Sequence, residues 1–248
     1  GIKIENPDPF TRWCLKMATA SGKTVVMAMI IAWSLINKAA SPQDARFSNG
    51  VLIVSPNLTV KDRLQVLYPE RENVDGKPSY YTEFDIVPSH LRPLMGRNTV
   101  LVTNWQQFEL RDDTKKRGVV SRGVESDSAF CNRVLAELST KSNILVLNDE
   151  AHHAYRFYPK SGGAELLGEA LESDYSAKEE VERARVWIEG LDRIHKIRGI
   201  RRCIDLSATP YFMKSSGRIE GEPFDWIVSD FGLLDAIETG IVKVPQVP

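Results

Sequence analysis

Four short apolar runs constrain this chain more than any other feature: Val51-Leu-Ile-Val54, Val100-Leu-Val102, Ile144-Leu-Val-Leu147 and Ile204-Asp-Leu206. Each is too short for a buried helix and lacks the alternation of a strand with one wet face. Each therefore reads as a strand covered on both sides. Helical patterning falls between and around them, at residues 25–36, 58–67, 88–95 and 177–198. This alternation predicts an α/β domain of three layers, with a mainly parallel central sheet flanked by helices. Sheets of that kind bind ligands at the carboxyl ends of their strands. The runs close on Ser55-Pro-Asn57, Thr103-Asn104, Asn148-Asp149-Glu150 and Ser207-Ala-Thr209, so a single polar edge is expected.

The rest of the pattern is weaker. A turn-rich lead-in at 5–10 precedes a strand at 12–17, and further strands are expected at 80–87 and 226–228. A helix at 231–238 is stopped by Gly240. Loops are expected near 111–127 and 155–176, and the tail 244–248 has the look of a linker. The 248 residues, 42% apolar, supply a core for one large domain, and 32 Lys and Arg against 33 Asp and Glu give a net charge of −1. No bulk basic field announces a nucleic acid, so such a partner would have to be held by local groups. Cys14, Cys131 and Cys203 are scattered without C-x-x-C spacing, which predicts reduced thiols and a cytoplasmic protein. Residues 25–36 contain one polar side chain, Ser34, and predict a fully buried helix. That run falls short of the roughly 20 apolar residues a bilayer crossing needs, and no membrane association is expected.

The stretch Lys16-Met-Ala-Thr-Ala-Ser-Gly-Lys-Thr24 opens the first of these helices. A turn ending in Gly-Lys-Thr at a helix start aims backbone N–H groups and the positive helix end at one spot, where a polyphosphate can sit. Thr19, Ala20, Ser21 and Gly22 would form the cradle, Lys23 would reach the β and γ phosphates, and Thr24 would offer its hydroxyl to Mg²⁺. Met17 stands where the strict pattern has Gly, and Ala20 where Gly is common, so a tightened loop is expected. Phe10, Arg12 and Trp13 are candidates to flank an adenine ring, with ordinary packing the competing reading for Trp13. Asp149 and Glu150 follow a strand as a metal-holding aspartate and a water-activating neighbour would. A zinc site from His152, His153 and a cysteine finds no supporting ligand spacing, and Asp113-Thr-Lys115 lacks the upstream carboxylate of a nuclease site.

Asp149-Glu-Ala-His152 resembles the D-E-A-H box of superfamily 2 helicases, Ser207-Ala-Thr209 their motif III and Met17 to Thr24 their motif I. Ser55-Pro-Asn57 and Thr103-Asn104 sit where motifs Ia and Ib would be. Asn148-Asp-Glu-Ala-His-His-Ala154, Asp205-Leu-Ser-Ala-Thr-Pro210 and Asp230-Phe-Gly-Leu-Leu-Asp-Ala-Ile237 are similar to the Res-subunit ATPases of type III restriction enzymes. The resemblance implies a RecA-like P-loop NTPase domain over residues 1–248, using ATP and Mg²⁺. Lys23, Asp149, Glu150 and His152 would carry catalysis, with Glu150 the general base and Thr24 and Asp149 the metal ligands. Ser207 and Thr209 would couple ATP state, through His152, to a DNA groove lined by Ser55, Asn57, Lys61, Thr103 and Asn104. It further implies that a second RecA-like domain, and a nuclease region or a modification/specificity subunit, belong to the whole machine. Hydrolysis by this half alone is expected to be weak. Two other readings stay open: a P-loop kinase or GTPase acting on a small molecule, and a nucleotide-gated interaction module that does not hydrolyse.

Overall fold

The computed structural model describes residues 8–70, 78–111, 124–157, 175–213 and 216–243. Six strands form one sheet: β1 (Arg12–Met17), β2 (Val51–Ser55), β3 (Val100–Asn104), β4 (Ile144–Asp149), β5 (Ile200–Ser207) and β6 (Ile227–Phe231). Their order is β3-β2-β4-β5-β1-β6, and every pairing is parallel. The helices are α1 (Lys23–Ala40), α2 (Leu58–Arg63), α3 (Tyr80–Glu83), α4 (Asp127–Val134), α5 (Tyr175–Arg198) and α6 (Leu233–Glu238). This is the RecA-like α/β arrangement.

The strands β2, β3 and β4 are buried along their whole length. Because successive strand residues face opposite sides, the core splits into two layers. Val51, Ile53, Val100, Val102, Leu145 and Leu147 turn toward α1, where Met27, Ala28, Ile31 and Leu35 make the buried stripe. Leu52, Val54, Leu101, Ile144 and Val146 turn the other way, onto Phe130 and Val134 of α4 and Trp187, Leu191 and Ile194 of α5. Each such aliphatic side chain contributes about 1.5–3 kcal/mol by leaving water. A smaller cluster of Cys14, Tyr155, Phe212, Phe224 and Trp226 closes the side near β1 and β6.

Several sequence expectations are corrected. Helix α1 is not buried all round: Met29 is 52% and Trp33 48% exposed, because only one face of a helix can pack on a sheet. By length and composition α1 would pass for a membrane span, but its apolar stripe is occupied by the core. Residues 80–87 are not a strand. Tyr81 is buried with its hydroxyl donating to Leu67 O at 2.8 Å, and this anchors the short helix α3 instead. The helix expected at 58–67 tightens into a narrower turn after Arg63, and the one at 88–95 is only a turn at Arg92–Met95, with Pro93 near its start. Strand β6 begins after the buried Trp226 and reaches Phe231. Helix α4 lies where a loop was expected to end, capped by the Ser126 hydroxyl accepting from Ala129 N at 3.3 Å. Most of the two expected loops (112–123 and 158–174), the Asp113-Thr-Lys115 motif and the tail 244–248 lie outside the described residues.

Candidate functional site

All four polar strand ends lie on one edge of the sheet. Ser55 is in register with Asn104, Val54 with Thr103, and Asp149 with Leu206, one residue before Ser207. The loop between β1 and α1 opens onto this edge. It is held by Ala18 N donating to Phe231 O at 2.9 Å and by the Ser21 hydroxyl donating to Ala18 O at 2.6 Å. Gly22, at the helix N-cap, has φ 93°, and no side chain caps the first turn of α1. An 18-residue helix thus presents open N–H groups and its positive end to the cleft. Ala20 also sits in the left-handed region, at φ 64°. The turn forms with alanine where glycine would fit without cost.

The cleft has a volume of about 390 Å³ and brings together Thr19, Ala20 and Gly22 of the loop and Lys23 and Thr24 at the start of α1 with Asp149 at the end of β4 and Glu150 just beyond it. Lys23 Nζ is 2.7 Å from Glu150 Oε1. The expected convergence of an early lysine and two mid-chain acids is present in the fold. Burial, together with the neighbouring Glu150 charge, pushes the Asp149 carboxyl up to about 6 against the opposing pull of Lys23. A cation placed beside it would relieve that repulsion. Val60, Arg63 and Leu64 of the α2 side and Tyr80 of α3 form the facing wall. Neither Arg63 nor Tyr80 was expected there: both are distant in sequence, and Arg63 reads simply as the basic end of a surface helix.

From Glu150 a chain of contacts leads away from the cleft. Its second carboxylate oxygen lies 3.5 Å from His152 Nδ1, and that nitrogen is 3.0 Å from Ser207 Oγ. Ser207 Oγ in turn accepts from Thr209 N at 3.1 Å. Burial lowers the His152 pKa, opposed by Glu150, so the neutral ring is favoured. The acid pair and the end of β5 are therefore joined through one imidazole.

The five positions expected along a nucleic acid are not equivalent. Ser55 is fully buried, its one hydroxyl proton shared between Asn57 O (3.0 Å) and Thr103 O (3.1 Å). Thr103 and Asn104 are buried as well, and the Asn104 amide donates to Gln106 Oε1. These three side chains do not line a groove as expected. A strand that ends and turns at once leaves backbone groups to be satisfied, and the short Ser55 side chain does that locally. Asn57 is exposed but caps α2, accepting from Val60 N at 2.9 Å; Lys61 is half-buried on the same helix.

Nor can Phe10 or Arg12 flank an adenine ring, since both are buried, Arg12 completely. Arg12 Nε donates to Asp205 Oδ2 at 2.7 Å, Nη1 to Asp8 Oδ2 at 3.1 Å, and Nη2 to Ala154 O. Asp205 also accepts from Asn148 Nδ2 (2.8 Å) and Trp226 Nε1 (2.8 Å), while Asn148 Oδ1 accepts from Trp187 Nε1 at 3.1 Å. Burial alone would lower the Arg12 pKa, but Asp205 and Asp8 more than reverse it. Trp13 is half-buried under the Arg202 guanidinium, 3.9 Å from its ring centre, in keeping with the packing reading.

Comparison with known proteins agrees with this geometry. A family model described as "Type III restriction enzyme, res subunit" matches residues 3–212. No curated protein and no solved structure matches the chain. With that match over most of its length, the chain belongs to the type III restriction enzyme res subunit family, as a helicase-like, ATP-binding domain.

Proposed function

We propose that residues 1–248 form the ATP-binding half of a DNA-dependent ATPase of the helicase or translocase class, whose hydrolysis drives movement along DNA. The observation that carries this reading is the convergence of Lys23, Thr24, Asp149 and Glu150 on one cleft at the open end of α1. A polyphosphate seated on that helix end recruits Lys23 away from Glu150. The freed Glu150 carboxylate accepts a proton from water as the water oxygen bonds to the γ-phosphorus and the bond to the ADP oxygen breaks. Thr24 and Asp149 would hold Mg²⁺, which neutralises charge on the phosphates. Two protein ligands suit an ion that keeps phosphate oxygens and water as its other ligands. His152, hydrogen-bonded to Ser207, reports occupancy of the cleft to the end of β5.

On DNA, Asn57, Lys61 and the backbone of the turns after β2 and β3 serve as phosphate contacts that read no sequence. A second RecA-like domain supplies an arginine worth roughly 10³ to 10⁵ in turnover, and a nuclease region or a modification/specificity subunit completes the assembly in the cytoplasm. The isolated 248 residues bind ATP and hydrolyse it slowly.

The test is ATP hydrolysis by the full-length protein with and without duplex and single-stranded DNA, beside Lys23→Ala and Glu150→Gln. Stimulation by DNA that both substitutions abolish is the expected result. Turnover indifferent to nucleic acid refutes the motor in favour of a kinase-like enzyme, and binding without turnover refutes it in favour of a switch module.

A further inference from the structure

Behind the catalytic turn, a second set of contacts leaves the acid pair by a different route. His153 packs on His152 with ring centres 4.1 Å apart, and His153 Nδ1 lies 3.4 Å from Arg183 Nη1 on α5. The Arg183 guanidinium stands over the Trp105 ring, 5.8 Å from its centre. Trp105 follows Asn104 directly, packs against the core beneath α5, and donates from its indole to Pro56 O at 3.0 Å. Pro56 lies between Ser55 and Asn57. One arginine thus joins the turn after Asp149-Glu150 to both loops that face the nucleic-acid side, at the ends of β2 and β3.

We propose that Arg183 is a positioning residue: with His153 and Trp105 it transmits the state of the DNA-facing loops to the catalytic turn, in parallel with the His152–Ser207 contact. The proposal rests on the DNA-dependent reading above. Three observations support it. His153 is held neutral, its pKa pushed down to about 4 by burial and then by His152 and Arg183, so in the tautomer protonated on Nε2 its Nδ1 accepts from Arg183. The contact to that nitrogen is long, and Arg183 Nε is buried with no hydrogen-bond partner among the described residues. A donor left unsatisfied in one arrangement is stabilised by any small shift that brings it an acceptor, which makes Arg183 responsive to movement at either end. Trp105 offers the Arg183 guanidinium a ring face, a contact less directional than a hydrogen bond.

The experiment uses the full-length protein and measures ATPase rate against DNA concentration for wild type, Arg183→Ala, Arg183→Gln and Trp105→Phe, with thermal melting as a control. Arg183→Ala is expected to lower the DNA-saturated rate about tenfold, a usual size for coupling between sites. The DNA-free rate and the DNA concentration at half-saturation are expected to stay within about twofold. Arg183→Gln, which keeps a donor toward His153, and Trp105→Phe, which keeps a ring under Arg183, fall between. An equal drop in the DNA-free rate would make Arg183 a prop for the catalytic turn, and a raised half-saturation with an intact plateau would make it a DNA contact. Either outcome, or full stimulation of both Arg183 variants, overturns the proposal. A wild type not stimulated by DNA brings down the DNA-dependent reading itself, and the proposal with it.

Discussion

Asn148 and Asp149 are neighbours on β4, yet their side chains enter two differently built charge clusters on opposite faces of the sheet. Asp149 joins Lys23 and Glu150 in an open cleft, where the Lys23–Glu150 pair is 13% and 32% exposed. Asn148 joins Arg12, Asp205 and two tryptophans, where Arg12 and Asp205 are 0% exposed. In the buried cluster each named polar side chain has several partners, so exchanging one for another leaves a charge stranded. In the cleft the contacts are few, and water or a phosphate can replace any of them. The same residue types therefore act as a fixed strut in one place and an exchangeable set in the other. The deciding variable is access to solvent.

Substitutions test that contrast directly, since the two clusters are expected to fail in different observables. Glu150→Gln removes the proposed proton acceptor and is expected to lower kcat by about 10² to 10⁴. Its stability, by denaturant titration, is expected to change by less than about 1 kcal/mol, because the pair it breaks is partly exposed. Arg12→Ala should do the reverse in kind, costing about 3–5 kcal/mol of folding stability by leaving the buried Asp205 without its cation, while Asp8 keeps its pairing with Arg156. A melting temperature close to wild type for Arg12→Ala would erase the distinction between the clusters. Ala20→Gly relieves a left-handed alanine and is expected to stabilise the loop by up to about 1 kcal/mol once the added chain entropy of glycine is counted.

The smallest effect concerns pH. His153 has its pKa lowered from 6.5 to about 4 in the fold, so in that interval the unfolded chain binds the proton and the folded chain does not. Stability is then lost as pH falls from about 6.5 toward 4 and is unaffected by this group above that range. Melting curves of wild type and His153→Gln should converge above neutral pH and separate below about 6.

Much of the cleft was legible because its parts carry local signatures. A Gly-Lys-Thr before an apolar helix and an Asp-Glu after an apolar strand each announce themselves within a few residues. The strut was not legible. Arg12 and Asp205 are 193 residues apart, and each by itself reads as a polar residue at the start or end of a strand. Arg63 and Tyr80 were missed for a similar reason, as helix surface and aromatic strand pattern, although the fold turns both toward the phosphate loop. The three inward-turned residues Ser55, Thr103 and Asn104 show the converse error. Their types suit a phosphate contact, but the fold buries all three, and the Ser55 hydroxyl is taken by the carbonyls of its own turn and of β3.

The sequence by itself determined the layered parallel sheet, the carboxyl edge on which its polar strand ends gather, and the identity of the lysine and acids that meet there. Those features follow from periodicity and from what each side chain can do within its own segment. Only the tertiary structure decided which charges are buried, that Arg12 braces the sheet rather than a base, and that Arg183 bridges the turn after Asp149-Glu150 to two distant loops. Burial and pairing depend on which segments pack together, and that information is spread over the whole chain.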